Sequence, residues 1–202
     1  VVCKNVALKM MSKKSRKNHE DNIIYIHDLD SYASGMHNCL SIPFDDLLAN
    51  GFKTKQTDVR PASSVNTAFQ LVAVIFQLQS LQQFGGVSAT HIDWTMVPYV
   101  RKSFYKHCKD GIKYIAGFEE PLKSVVFQKV FKDSSILNEA YQSYHPEVYK
   151  YAMDMTKREL HQAVEGMFHN LNTLQSRSGN QLPFSSINYG TCTLEEGRMV
   201  TK

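Results

Sequence analysis

Between residues 63 and 84 apolar side chains recur at helical spacing, and over 71–78 they surround the axis almost completely. A helix apolar on nearly every side belongs in the interior. Ser63 or Ser64 offers a hydroxyl for its first turn, and Gly85-Gly86 stops it. THIDWTMVPYVRKSFYKHCKDG, 90–111, predicts a second helix with Thr90 as cap, Asp93 at its third position and Gly111 at its end. Pro98 inside it predicts a kink or a later true start. From Pro146 to about Gln175 a long helix follows from Val148, Tyr151, Met155, Leu160, Val164, Met167 and Leu171. PFDDLLANG, 43–51, reads as a short helix with proline in its first turn, early acidic residues and Asn-Gly at its end. Residues 4–19 form a weaker helical pattern amid lysines.

Strands are few. NIIYIH, 22–27, reads as a short buried strand from its length and its β-branched and aromatic residues, and FSSINYG, 184–190, as a second. SVVFQKVF, 124–131, fits strand or helix equally by period. Two isolated strands make no sheet unless they pair or find partners. The expected class is mainly α with a few short strands.

Composition narrows the function classes. The chain has 202 residues, 43% of them hydrophobic, enough for one packed domain. FQLVAVIFQLQSLQQF, 69–84, comes nearest to a membrane span, but its five Gln and one Ser mark a helix buried in protein. Without a signal-peptide pattern at VVCKNVAL the chain reads as cytoplasmic. The net charge of +4 gathers in KKSRK, 13–17, and around Arg101, Lys102, Lys106 and Lys109. No sustained basic face or motif accompanies these charges, so the reading is no nucleic-acid polymer and no membrane, with a solvated face or a small phosphorylated ligand preferred. Cys3, Cys39, Cys108 and Cys192 lack zinc-type spacing, and a cytosolic setting keeps thiols reduced, so neither metal nor disulfide is expected.

Three blocks carry more than their local patterns do. YIHDLDSYASGMHNCLSIP, FGGVSATHIDWTMVPYVRKSF and HNLNTLQSRSGNQLPFSSINYGTCTLEEGRMV resemble, in order and spacing, successive blocks of the anaerobic, glycyl-radical ribonucleoside-triphosphate reductases. The resemblance implies part of a ten-stranded α/β barrel, with residues 1–202 as a single partial domain from its N-terminal portion. It implies that the regulatory cone, finger loop, zinc-binding cysteines and glycyl-radical region are absent. In that family a glycyl radical, made by an iron–sulfur and S-adenosylmethionine activating enzyme, oxidises a finger-loop cysteine. The resulting thiyl takes the 3′ hydrogen of the ribose, and a second cysteine delivers hydrogen to C2′ as water leaves. Formate or a thiol system supplies the electrons.

The residue matching that second cysteine is Cys39 in HNCL. The resemblance places Asn38 beside the sugar, Ser185, Ser186 and Asn188 on a substrate-side strand, and His27 and Asp28 in support of the strand end. Cys192 is set aside as the thiyl because that cysteine lies further along in the family. Cys3 and Cys108 gain no role. Implied partners are a ribonucleoside triphosphate substrate, dNTP or ATP effectors, a second copy of the chain and the activating enzyme. The expectation is a reductase fragment inactive by itself; the rival is a nucleotide-effector-binding or dimerisation module without catalysis, with 63–84 and 147–175 as its interaction surface. Another glycyl-radical enzyme, such as a lyase for a small carboxylate, fits the blocks poorly.

Overall fold

The computed structural model describes residues 2–33, 35, 39–54, 58–83, 85–117, 128, 131–173 and 182–202. Helices dominate. Helices α1 (Val2–Met10) and α2 (Lys13–Glu20) open the chain, and a single-turn α3 (Leu29–Tyr32) follows. Strand β1 (Leu40–Ser41) then leads into α4 (Phe44–Asn50) and the antiparallel pair β2 (Phe52–Lys53) and β3 (Asp58–Val59). Helix α5 (Val65–Ser80), strand β4 (Val87–Ala89) and helix α6 (Ile92–Gly111) come next, with a π-helical turn at Ile112–Ala116. Helix α7 (Glu139–Tyr144), the long α8 (Pro146–Thr173), strand β5 (Ser185–Ile187) and α9 (Glu195–Thr201) complete the described residues.

The three central helices form where periodicity predicts them, and local chemistry sets their ends. Ser64 caps α5, its Oγ accepting from Thr67 N at 3.2 Å. α5 ends five residues before Gly85. Helix α4 stops at Gly51, whose φ of +74° suits glycine and where a Cβ would lie 2.2 Å from Val59 O. α6 starts at Ile92, with His91 rather than Thr90 at its cap, and runs through Pro98. Proline removes the N–H that would bond Trp94 O. Both Pro98 and Trp94 are exposed, so water can take that carbonyl.

The strand expected at 22–27 does not form. This segment folds back over the end of α2, with Ile23 N and Ile24 N donating to Asn18 O at 2.8 and 3.2 Å and Asn22 at a φ of 58°. Ile23 and Tyr25 are exposed. β-Branched residues favour a strand only where a neighbour pairs with it, and here the backbone bonds go to a helix end. The other expected strand appears as β5. Most of SVVFQKVF lies outside the described residues.

The main sheet has three parallel strands in the order β1-β4-β5. Parallel neighbours require long crossovers. α5 lies between β1 and β4 in the chain, and α6 and α8 between β4 and β5. One sheet face packs on these helices through Val87 and Ala89, with Ile42 and Ile187 beside them and Phe69, Val72, Phe76, Met96, Leu160 and Met167 beneath. A second cluster joins the end of α6 to α7 and α8 through Phe104, Tyr141 and Val148, the Phe104 and Tyr141 rings meeting edge-on at 4.9 Å.

Phe76 is fully buried with its ring 5.3 Å from that of Phe44. Phe76→Ala is expected to cost about 3–5 kcal/mol, seen as a lower urea midpoint at unchanged slope.

Candidate functional site

Register decides which side chains share a face. Leu40 pairs with Val87 and Val87 with Ser185, while Ser41 pairs with Ser88 and Ser88 with Ser186. Alternation puts Val87, Ala89, Ile187 and Ile42 toward the helices. It puts Ser41, Ser88 and Ser186 in one row on the opposite face, with none of their hydroxyls hydrogen-bonded among the described residues.

One step toward the strand starts, the hydrogen bonds Leu40 N to Gly86 O (3.0 Å) and Val87 N to Phe184 O (2.8 Å) extend the ladder. They set Cys39, Gly86 and Phe184 side by side, each one residue before its strand, and alternation from β1, β4 and β5 assigns the three to the open face. Cys39 is exposed, and Phe184 is 78% exposed. Asn188 continues the row parity beyond β5, its N–H donating to Ala89 O at 2.8 Å. Thus Cys39, Ser186 and Asn188 share a face, with Cys39 and β5 separated only by β4. Ser185 does not join them. It registers with Val87 and so has the helix-side parity. Asn38 lies outside the described residues. Cys39 stands at the start of β1, not at the end of a 22–27 strand.

His27 and Asp28 bond to each other, Nδ1 to Oδ2, with the His27 side chain 78% exposed and Asp28 at a φ of 49° before α3. They brace the chain reversal into α3, and no strand among the described residues ends at them. No cluster of three metal-ligand side chains occurs among the described residues. All four cysteines are free. Burial pushes the Cys108 thiol up to about 12, so it stays protonated in the second core cluster. Cys192 is buried against Gly197, where a Cβ would lie 2.3 Å from its Sγ.

What holds β5 in register is a residue marked in the sequence only as an early helix acid. Asp93, in the first turn of α6, is fully buried. Its Oδ2 accepts from Gly190 N, Thr191 N and Cys192 N at 2.9, 2.9 and 2.7 Å, and its Oδ1 from Trp94 N at 3.1 Å. Burial pushes its pKa up, but these four N–H donors outweigh burial and hold the carboxyl below 3.8. A second buried carboxylate, Glu196 on α9, pairs with Arg101 Nε at 2.8 Å and accepts from Ile136 N at 3.0 Å.

A basic pocket of about 620 Å³ opens on the far side of α6. Lys102, Lys106, Lys109 and Lys132 line it together with Ser63 and Ser64 at the start of α5. The first three lysines recur at i, i+4 and i+7 on α6. Lys102 Nζ donates to Ala62 O at 3.2 Å, and Lys109 Nζ sits 4.8 Å from the centre of the Tyr105 ring. Glu159 accepts from His107 at 2.8 Å, and that bond, with the charge of Lys106 nearby, holds its carboxyl below the usual value. The lysine grouping was visible in the sequence; its meeting with Ser63, Ser64 and Lys132 was not.

Asp93→Asn replaces one accepting oxygen with an NH2 donor facing N–H donors, and is expected to cost about 2–4 kcal/mol. Because the folded-state pKa is depressed, the Asp93 contribution is complete above the unfolded value near 3.8 and is lost as pH falls through the lower folded value. The difference in stability between wild type and Asp93→Asn should therefore shrink on acidification below pH ~4, measured by urea titration across pH.

Comparison with known proteins adds an independent finding. The family model described as anaerobic ribonucleoside-triphosphate reductase matches residues 1–202. The anaerobic ribonucleoside-triphosphate reductase of Enterobacteria phage T4 is 28% identical over 203 residues, spanning 100% of this chain and 29% of the relative. Those of Salmonella typhimurium and Escherichia coli are each 27% identical over 183 residues, spanning 90% of this chain and 22% of the relative. The chain thus spans less than a third of the length of these relatives.

Proposed function

The chain belongs to the anaerobic ribonucleoside-triphosphate reductase family, and from that premise we propose that it forms one wall of the reductase's substrate site, with Cys39 as the hydrogen-donating thiol. What supports this reading is the register of β1, β4 and β5, whose alternation gives the exposed Cys39, Ser186 and Asn188 one parity opposite the packed helices. A parallel strand bordered by helices is ordinarily apolar on both faces. A polar face on such a sheet has a use other than packing.

The chemistry suits the residue. A thiol S–H is weak enough to give its hydrogen to a carbon radical; a hydroxyl is not. After a thiyl outside this segment removes the 3′ hydrogen of the ribose, the 2′ hydroxyl leaves as water with the proton of the 3′ hydroxyl, and the Cys39 S–H bond breaks as a C–H bond forms at C2′, leaving a 3′ ketone and a Cys39 thiyl. Formate, oxidised to carbon dioxide, or a thiol pair, oxidised to a disulfide, supplies two electrons that with two protons restore the Cys39 S–H bond and reduce the ketone to a 3′ radical, to which the first cysteine returns its hydrogen. Asn38 and Asn188 flank the sugar, and the hydroxyls of Ser186 and its row partners Ser41 and Ser88 meet the polar edge of the nucleotide. The strand-start mount holds the sulfur in a fixed position. His27 and Asp28 act at a distance, through the turn that leads to α3. The parent uses a glycyl radical made by its activating enzyme, and the isolated 202 residues turn over no substrate.

The second reading, an effector-binding and dimerising module, is supported by the lysine pocket. Four ammonium groups beside a helix start suit a nucleotide triphosphate, and a dNTP or ATP is the proposed occupant. Val74, Leu78 and Leu81 leave an exposed apolar stripe along α5 for a second copy of the chain. The two readings are compatible, because the pocket borders the start of α5 while Gly86, beside Cys39, lies beyond its end.

With the rest of the reductase present, fused or supplied in trans, Cys39→Ser should leave the glycyl radical visible by electron paramagnetic resonance and abolish deoxyribonucleotide formation. Near-normal product would refute the assignment, as would product formed by the 202 residues alone. For the pocket, Lys102→Gln with Lys106→Gln should weaken binding of a fluorescent ATP analogue at least roughly tenfold, and wild-type binding should fall with added salt.

A further inference from the structure

Gly86 stands beside Cys39 in the sheet, and nothing in the fold requires a glycine there. Its φ lies outside the left-handed region that favours glycine. Among the described residues a Cβ built on it meets only Phe184 O at 3.5 Å and Phe184 Cβ at 4.0 Å, ordinary van der Waals contacts. Contrast Gly51 and Gly197, where a Cβ would strike backbone at 2.2 Å or a sulfur at 2.3 Å. Glycine in extended chain costs conformational entropy relative to alanine, so its presence at 86 goes against stability.

The built Cβ also shows which way the missing side chain would project. It falls next to the Phe184 Cβ, on the open face. No other atom of the described residues comes within 4 Å of it. Cys39 and Phe184 stand two strand spacings apart, about 10 Å between backbones. Between them stands Gly86, which has no side chain. On one side of it is the exposed thiol, and on the other a 78% exposed phenylalanine with no aromatic partner among the described residues. Along the strands the same face continues into the hydroxyl row at Ser88.

We propose that Gly86 is a clearance residue: its missing side chain forms the notch through which the substrate's ribose reaches the Cys39 sulfur, with Phe184 as the apolar wall that packs against the nucleoside. This rests on the reading of Cys39 as hydrogen donor and adds two residues that set access and position. The notch accounts together for a glycine the fold does not need and an aromatic side chain the core does not use. A side chain at 86 keeps the fold and closes the approach, so the effect grows with its size.

Gly86→Ala, Gly86→Leu and Phe184→Ala are tested in two ways. In the reductase supplied with its remaining parts, turnover of CTP should fall roughly tenfold for Gly86→Ala and roughly a hundredfold or more for Gly86→Leu, at unchanged melting temperature and radical yield. Phe184→Ala should mainly raise KM. In the 202-residue chain itself, labelling of Cys39 read by mass spectrometry should slow for a bulky maleimide in Gly86→Leu. Labelling by methyl methanethiosulfonate should hold its rate, with exposed Cys3 as internal standard. Unchanged labelling, or slowed labelling with unchanged turnover, overturns the notch while Cys39→Ser still tests the donor. Should Cys39→Ser retain turnover, the donor reading fails and the substrate role of the notch with it.

Discussion

A single carboxylate sets the geometry on which the open face depends. Asp93 lies four residues after the end of β4, and it gathers three consecutive N–H groups that begin three residues after the end of β5. The exit of one strand is thereby tied to the exit of the next. Asn188 strengthens the tie, donating to Ala89 O and accepting from Ile92 N. β5 is three residues long and lies at the sheet edge, so its few ladder bonds alone hold it weakly. A slip of one residue would reverse every side chain on it, moving Ser186 and Phe184 to the helix side. The register that aligns Phe184 with Gly86 and Cys39 is therefore held from outside the strand, by a buried charge that no apolar side chain could replace.

The two faces of the sheet differ because different demands act on them. Toward the helices, Val87 and Ala89 are buried by side chains from α5, α6 and α8, and the usual apolar logic holds. The other face carries hydroxyls, a thiol, a glycine and an exposed phenylalanine, a combination that buries little area. Among strands so short, each exposed polar position forgoes packing that would have stabilised the sheet. The helices compensate: α5 is buried along Val65, Ala68, Phe69, Val72, Ala73 and Phe76, and it packs against both α6 and α8.

Legibility followed the length of each element. α5, α6 and α8 are long enough for their period to be unmistakable, and Ser64 and Gly51 mark boundaries through local chemistry that needs no tertiary knowledge. The two- and three-residue strands β1 and β4 have no period to read. The 22–27 segment had the right composition for a strand, but strand formation depends on a neighbour, and the residues that bond it belong to α2. The same dependence explains the site. Cys39 becomes a candidate through the HNCL block; that Ser186 and Ser185 have opposite parity follows only from register with Ser88 and Val87. Asp93 showed itself as an early helix acid, while its partners stand 97 to 99 residues away.

The same helix touches both candidate sites, at opposite ends. Ser63 and Ser64, in the lysine pocket, precede the first turn of α5. Beyond its last turn, Gln83 is completely buried and its Nε2 donates to the carbonyls of Gly85, at 3.1 Å, and Gly86. Sixteen helical residues separate the two, about 24 Å at the standard rise. At that distance a nucleotide held by the lysines does not touch one held at the notch. Each end of α5 is nevertheless fixed by specific bonds, Val65 N to Ser103 Oγ at 3.0 Å at the start and Gln83 at the finish. Between them the buried side chains leave little free volume for the helix to bend or slide. The clearance at Gly86 is thus positioned by a buried amide at the end of a rod whose other end borders the basic pocket, which makes Gln83 the link between the core and the opening beside Cys39.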